Sequence, residues 1–516
     1  MRRITKKFAV TSIFILFLLS VFVPNNIIET KGEEQFDLDD FMQQVLEEHE
    51  ADLNVTELPL RKYVYEQEYD ENYQDYFPSQ VIVGFKPKID VSTLETFEGH
   101  DIIDKIELLN VALLEVEEDH ELEFIDYLTQ SDDVYFAELN TALWAMWEPN
   151  DEKWEDQYGP QLIECPTAWD IEKGDSDIFI AIIDSGVDFD HEDHAVSQIN
   201  GWDFWERDDD STDVFGHGTW CAGIAAAHMN NEIGIAGVSE AGILGIKALS
   251  GIGRLVGDVF TASRAIIYAA GFNEVWIMSF SWGFWLPSPL LRAACNYAYH
   301  IKNILLVAAA GNHENSPEPK PVMYPAHFQC VIAVAAVDRD KNVWEFSNSG
   351  PQVELAAPGV DIITTDIFGY TTQDGTSFAA PHVAGVAHLY YSKQLHDDPT
   401  YQKNLRHRTL CREKLQKSAY NLLSEGRDIW TGYGLVQADD MLNKNIIHVE
   451  VIGNGNVSFS SNQALFESNS AVQLVANPSS GWVFNGWSGD LSSQDSQEGI
   501  TVDGDKYIIA TFIEQV

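Results

Sequence analysis

The chain has 516 residues, with 81 Asp and Glu against 31 Lys and Arg for a formal net charge of −50; that length suits about two to four domains. Hydrophobic residues make up 45% and aromatics 12%, which excludes a wholly disordered or fibrous chain. The charge argues against nucleic acid as a partner, since phosphate binding needs clustered Lys and Arg, and against electrostatic docking on anionic lipid.

The acid is concentrated near the N-terminus, where residues 31–150 hold 32 acidic and 6 basic side chains, net −26. The remaining surplus suits a protein kept soluble by its charge, as in a salty medium. Five cysteines do not make a disulfide scaffold, and an odd number leaves at least one thiol unpaired within the chain.

In chain order, residues 1–7 read MRRITKK and 8–23 are an apolar run, FAVTSIFILFLLSVFV. A run of that length suits a secretory signal better than a spanning helix, which needs about 20 residues. No A-x-A-like cleavage site follows it, so residues 1–30 read as a signal peptide or an N-terminal anchor. Residues 31–78 read as an acidic linker, solvated and only weakly periodic. From 79 the pattern tightens: SQVIVGFKP predicts a strand, IIDKIELLNVALLEVEE two more, HELEFIDYLTQ a helix and DVYFAELN a last strand, together a small α+β module.

Residues 151–445 alternate near-continuous apolar runs with helix-length segments. The runs are DIFIAIID (177–184), GILGIKAL (242–249), EVWIMSFS (274–281), NILLVAAA (303–310) and CVIAVAAV (330–337). Such strands, separated by helices such as DVFTASRAIIYAAGF and PLLRAACNYAYHI, predict an α/β fold: a doubly wound, mostly parallel sheet covered on both faces. From 446 the pattern becomes short alternating strands with Gly, Asn, Ser and Asp turns, a small all-β module.

Four short segments carry chemistry. AIIDSGVD puts Asp184 at the end of a buried strand, FGHGTWCAGIAAA puts His217 at the start of a helix, DGTSFAAPHVAG puts Ser377 at the start of another, and VAAAGN ends a strand at Asn312. A serine hydroxyl needs a neighbouring base to become a nucleophile. The base must be held in one tautomer, and its cation stabilised, by a carboxylate. The oxyanion of acyl transfer needs donors in place beforehand; the Asn312 amide can supply one, and the Ser377 backbone N–H at a helix N-terminus a second. A lone Asp or His in such a setting is usually structural; the four together, in this order, are not.

The order Asp, His, Ser is the subtilisin order among the unrelated triad arrangements. The chain resembles the subtilisin-like serine proteases, and within that family its thermitase-like members, from NDEKWEDQYGPQLIECPTAWDIEKG (150–174) through the four motifs to GYGLVQADDML (432–442). The resemblance implies a secreted endopeptidase, with Asp184, His217 and Ser377 as triad and Asn312 in the oxyanion hole.

The same likeness bears on residues around the triad. His382 takes a packing role. Trp220 stands where many relatives have His, without a catalytic atom that it must touch, and Cys221 is a free thiol beneath the site. Ser281, Trp282 and Gly283, with Ala310 and Gly311, line the primary pocket, where substrate adds as a strand. With no acid in those segments, large apolar side chains are the expected preference, at low stringency.

The resemblance also frames the domains: 79–146 an inhibitory propeptide, with its tail NTALWAMWEPND in the cleft until cut and the mature start near Trp147; 147–445 the catalytic domain; and 446–516 a module whose GWVFNGWSGD segment resembles internalin-like bacterial surface repeats. Partners are then peptide or protein substrates, the chain's own propeptide, and a cell surface or large substrate contacted through 446–516, with the enzyme itself a monomer.

Two acidic loops imply calcium, a hard cation that takes oxygen ligands. The first is Asp151, Asp193 and Asn231; the second is Asp203, Asp208 and Asp210. The contrasting reading is a surface binding protein that keeps the fold as a scaffold, which an intact set of four groups disfavours.

Overall fold

The computed structural model describes residues 76–515 apart from 118–119, 142–146, 252–254, 314–319, 424–425 and 462. The leader at 1–30, almost all of the acidic linker and the middle of the propeptide tail lie outside the described residues. The chain divides into two compact units at residues 144 and 145.

In the first unit, β1 (Tyr76–Phe85), β2 (Thr96–Phe97), β3 (His100–Ile106), β4 (Val111–Glu115) and β5 (Val134–Thr141) form an antiparallel sheet in the order β2-β3-β4-β1-β5. Helix α1 (Glu121–Leu128) turns Ile125 and Leu128 into a core with Val81, Val83, Leu114 and Leu139. Alternation along β4 buries Ala112 and Leu114 and leaves Glu115 exposed, as a sheet with one covered face requires.

The second unit is built on seven parallel strands in the order β12-β11-β10-β9-β6-β8-β7. They are β6 (Phe179–Asp184), β7 (Gln198–Asp203), β8 (Gly242–Lys247), β9 (Val275–Phe280), β10 (Leu305–Ala309), β11 (Ile332–Val337) and β12 (Val353–Pro358). β6, β8, β9, β10 and β11 are buried at every position, the reason their sequences read as unbroken apolar runs. Helices α2 (His217–Ala226), α3 (Val259–Ala269) and α4 (Pro289–Asn296) accompany the sheet.

A hairpin, β13 (Ile362–Asp366) and β14 (Gly369–Gln373), leads into α5 (Thr376–Asp397), followed by α6 (Leu405–Ser418) and α7 (Ala438–Asn443). Helix α5 is nearly all buried through Ser392, with Ala379, Ala380, Val383, Ala384 and Ala387 in the same core as the sheet. The chain thus crosses its own core on the helix whose first turn carries Ser377.

The last segment has two three-stranded sheets. β15 (Ile447–Ile452), β20 (Lys506–Glu514) and β18 (Trp482–Gly489) form one, and β16 (Gly455–Phe459), β17 (Ser470–Pro478) and β19 (Gln497–Val502) the other. Leu474, Trp487, Val502, Ile508 and Phe512 fill the space between them.

Candidate active site

Three separate strand and helix ends bring the candidate groups together. β6 ends on Asp184, whose side chain is 1% exposed. Its Oδ1 lies 2.7 Å from His217 Nδ1 and also accepts the Ser185 N–H at 2.8 Å. His217 is the first residue of α2, and the loop before it is organised by a buried carboxylate, Asp213. Asp213 accepts the backbone N–H groups of Phe215, Gly216 and Thr219 and the Thr219 hydroxyl. Gly218 leaves no room for a Cβ, which would meet the Gly186 carbonyl at 2.0 Å. Burial pulls the His217 pKa down, but the adjoining Asp184 charge and hydrogen bond, with Asp213 behind them, more than offset it and leave it raised.

Ser377 opens α5 behind Gly375, whose φ of +154° is open to glycine at little cost. The Ser377 hydroxyl donates to the Ser281 carbonyl at 3.0 Å, and the Ser281 hydroxyl donates back to the Ser377 carbonyl at 2.7 Å. That carbonyl is available because the residue four further on is Pro381, which has no N–H to close the helical bond.

Asn312, exposed beyond the end of β10, turns its Oδ1 toward Thr376, accepting the backbone N–H at 3.0 Å and the hydroxyl at 2.7 Å. Its Nδ2 donors are thereby presented on the other side. The arrangement holds a carboxylate-paired imidazole, a hydroxyl at a helix N-terminus and a pre-oriented amide donor, the set that acyl transfer by a serine nucleophile requires.

Three neighbours follow different logic from the expected triad. The Cys221 thiol is buried, 3.6 Å from the Ser377 carbonyl. Burial holds its pKa well above the ordinary thiol value, so it stays protonated and inert. Trp220 does approach the imidazole. Its indole lies edge-on to His217 with ring centroids 5.7 Å apart, and its Nε1 donates to Asp366 at 2.7 Å. His382 donates its Nδ1–H to the Phe378 carbonyl at 2.7 Å, and burial lowers its pKa to about 4; it is a packing residue.

The expected pocket walls continue from adjacent strands, since Ser279 and Phe280 of β9 pair with Val307 and Ala308 of β10. Ser281, Trp282 and Gly283 follow the first strand, Ala310 and Gly311 the second. Trp282 donates its indole N–H to the Ile183 carbonyl at 2.7 Å, so it braces the strand that carries Asp184. Between the walls stands a residue that the sequence did not single out, Met323. A Cβ on Gly283 would meet Met323 Cβ at 2.8 Å, and a Cβ on Gly311 would meet Met323 Sδ at 2.6 Å.

Of the two acidic loops, the first converges. Asp193 is fully buried and Asp151 is 5% exposed. Asp193 accepts from the Asn231 amide at 3.1 Å and the Ile235 N–H at 2.8 Å, and Asp151 Oδ2 from the Asn230 N–H at 2.7 Å. Asp151 Oδ1 is buried without a hydrogen-bond partner. Burial raises the Asp193 pKa to about 6, and the Asp151 charge adds to it. Two buried carboxylates, one with an orphaned oxygen, beside an amide and a turn of backbone fit a hard cation held by oxygen.

The second loop is arranged differently. Asp203 is paired with Lys247 at 2.9 Å and caps the turn through the Trp205 and Glu206 N–H groups. Asp208 and Asp210 accept from backbone N–H groups two residues ahead. Among the described residues, the only trio of carboxylate, imidazole or thiol ligand atoms within 4.8 Å of one another is Asp184, His217 and Cys221. The carboxylates of Asp203, Asp208 and Asp210 therefore do not meet at one point. All five cysteines are buried and free.

A seven-stranded parallel sheet with this site at its strand ends defines a serine protease of the doubly wound class. Comparison with known proteins gives the family. Residues 175–434 match the Subtilase family, Peptidase_S8, and the chain belongs to it. It is 43% identical over 248 residues to thermitase of Thermoactinomyces vulgaris, covering 48% of this chain and 86% of that one. It is 38% identical over 332 residues to the thermophilic serine proteinase of Bacillus sp. (strain AK1), covering 62% and 79%.

Among solved structures it resembles a protease from Pseudoalteromonas arctica PAMC 21717, at TM-score 0.50 and 26% identity over 57% of this chain and 98% of that one. Residues 66–140 match the fervidolysin N-terminal prodomain and 447–515 the divergent InlB B-repeat domain. The protein is a serine-type endopeptidase with a prodomain and a small β-repeat segment.

Proposed function

We propose that Ser377 is the nucleophile, His217 its base, Asp184 the orienting carboxylate and Asn312 an oxyanion donor in peptide-bond hydrolysis through an acyl-enzyme. The observation that carries this is the 2.7 Å contact between His217 Nδ1 and Asp184 Oδ1. It leaves the other ring nitrogen for the substrate side, where in this reading it takes the Ser377 proton once the hydroxyl leaves the Ser281 carbonyl. Attack by Ser377 Oγ then passes its proton to His217 and charge to the carbonyl oxygen, which the Asn312 Nδ2 donors and the α5 N-terminus receive. His217 returns the proton to the leaving amine, and water repeats the sequence on the ester.

The leader at 1–23 supports export of the protein, with residues 8–23 removed or kept as an anchor. Among the described residues, no helix is long and apolar enough to cross a membrane. The prodomain is read as an intramolecular inhibitor, removed by cleavage between about 142 and 150. Asp151, Asp193 and Asn231 are read as holding a calcium ion, whose charge would compensate the two buried carboxylates and tie the segment before β6 to the loop at 230–235.

The test is labelling by a fluorophosphonate probe together with casein hydrolysis. Wild-type protein is expected to label, cleave and lose its prodomain. Ser377→Ala is expected to fold, fail to label and accumulate as the uncut precursor. Full activity in Ser377→Ala would refute the assignment.

A further inference from the structure

We propose that Met323 forms the floor of the pocket beside Ser377, so that this enzyme takes small side chains, alanine or serine in size, at the residue whose carbonyl is attacked. The proposal rests on the triad reading above and narrows its substrate class. It replaces the preference for large apolar side chains expected from the wall residues alone.

The pocket is located by the groups that bind the reacting carbonyl. Ser377 and Asn312 lie at the ends of the two wall segments, and both segments are bonded to the first turn of α5. Ser281 exchanges hydrogen bonds with Ser377, and the Gly311 N–H donates to the Thr376 hydroxyl at 3.1 Å. A carbonyl carbon within reach of Ser377 Oγ, with its oxygen toward Asn312 Nδ2, must therefore send its own side chain into the gap between Ser281–Gly283 and Ala310–Gly311.

Both walls carry glycine at that level, which by itself would leave a deep slot. The slot is occupied from below. Met323 Cβ stands 2.8 Å, and its Cε 3.6 Å, from where a Gly283 Cβ would be; its Cγ and Sδ stand 2.8 and 2.6 Å from where a Gly311 Cβ would be. The thioether side chain thus lies along both glycines.

Its backbone is pinned to both walls as well. The Met323 N–H donates to the Ala310 carbonyl at 2.9 Å, and the next residue, Tyr324, exchanges N–H and carbonyl bonds with Phe284 at 2.9 and 3.0 Å. Met323 cannot be withdrawn without breaking these bonds, although its side chain retains rotamers. A substrate residue as large as Phe has to displace it.

The experiment compares two fluorogenic peptides identical except for Ala or Phe before the cut, with Ser377 labelling by a fluorophosphonate run alongside. Wild-type enzyme is expected to show kcat/KM at least about tenfold higher for Ala, and Met323→Ala and Met323→Gly to move the ratio toward Phe by about 10–200-fold, the range one pocket methylene or so commands. If the variants do not fold, the wild-type ratio decides alone.

A wild type that labels normally and favours Phe, or folded variants whose ratio does not move, would overturn the proposal and leave the triad reading standing. A wild type that folds but neither labels nor cleaves would overturn both.

Discussion

The side-chain oxygen of Asn312 accepts two hydrogen bonds from Thr376, one from its backbone N–H and one from its hydroxyl. The helix that presents the proposed nucleophile therefore also sets the amide orientation of the proposed oxyanion donor. Asn312→Ala is expected to lower kcat by about 10²–10³, the usual cost of one such donor. Thr376→Val keeps the backbone bond to Asn312 but removes the hydroxyl, and with it both the bond to Asn312 and the one accepted from the Gly311 N–H, so a fall of about three- to tenfold in kcat is expected. Thr376→Ser should restore most of it. Steady-state kinetics on proteins of matched circular dichroism check this.

The pairing of His217 with Asp184 sets the pH range. The His217 pKa is raised above the ordinary imidazole value of 6.5, and the base works only when neutral. Activity should therefore fall on the acid side with a midpoint above 6.5, as His217 takes up its proton. Asp184→Asn removes the charge that raises it, so the acid limb should move down in pH while kcat falls by about 10⁴. The pH profile of kcat/KM, which reports groups of the free enzyme, measures both. An acid limb unmoved in Asp184→Asn would contradict the pairing.

Calcium should act on stability and hardly at all on the chemical step. A ligand that binds only the folded state stabilises by about 2.7 kcal/mol at a hundredfold excess over Kd. Chelation should lower Tm and expose the segment near Asp151 to self-digestion. Asp193→Asn should reproduce most of that loss and blunt the response to added Ca²⁺, whereas Asp208→Asn, at an exposed turn, should change little. Melting curves on inhibited enzyme, with chelator and with excess Ca²⁺, check this; coincident curves would mean that the two buried carboxylates bind no ion.

The β-repeat segment is joined to the catalytic domain by a buried charge. Asp505 lies 3.1 Å from Lys414 of α6, both side chains being 2% exposed, and also accepts from the Tyr390 hydroxyl of α5 at 2.8 Å. Removing one partner leaves the other buried and unpaired, so Asp505→Ala should destabilise the protein by about 3–5 kcal/mol. The replacement of both by apolar residues, Asp505→Leu with Lys414→Met, should cost less than the single change. Truncation after 445 should lower Tm, yet leave small-peptide hydrolysis per folded molecule nearly unchanged. Denaturant titrations with active-site counts separate the two effects.

What the sequence by itself determined was everything written within a few contiguous residues. Buried parallel strands must be apolar throughout, so β6, β8, β9, β10 and β11 were legible as runs. Asp184, His217, Asn312 and Ser377 were legible as candidates because a nucleophile at a helix start, or a carboxylate at a strand end, needs glycine and small residues immediately beside it. β7, with QINGWD, and β12, with VELAAP, form the two edges of the sheet and carry polar residues, so neither reads as a run.

Only the tertiary structure decided the rest, because it depends on pairs far apart in the chain. Register between β7 and β8 sets Asp203 against Lys247, which turns an apparent metal ligand into an ion-pair partner. Asp366, on the β13 strand far along the chain, takes the indole N–H of Trp220. Chain crossings place Asp505 on Lys414, and Met323, 40 residues beyond Gly283, between the pocket walls. A motif records the neighbours that a reacting group has along the chain, and the shape of the space around it is made by residues that arrive from elsewhere in the fold.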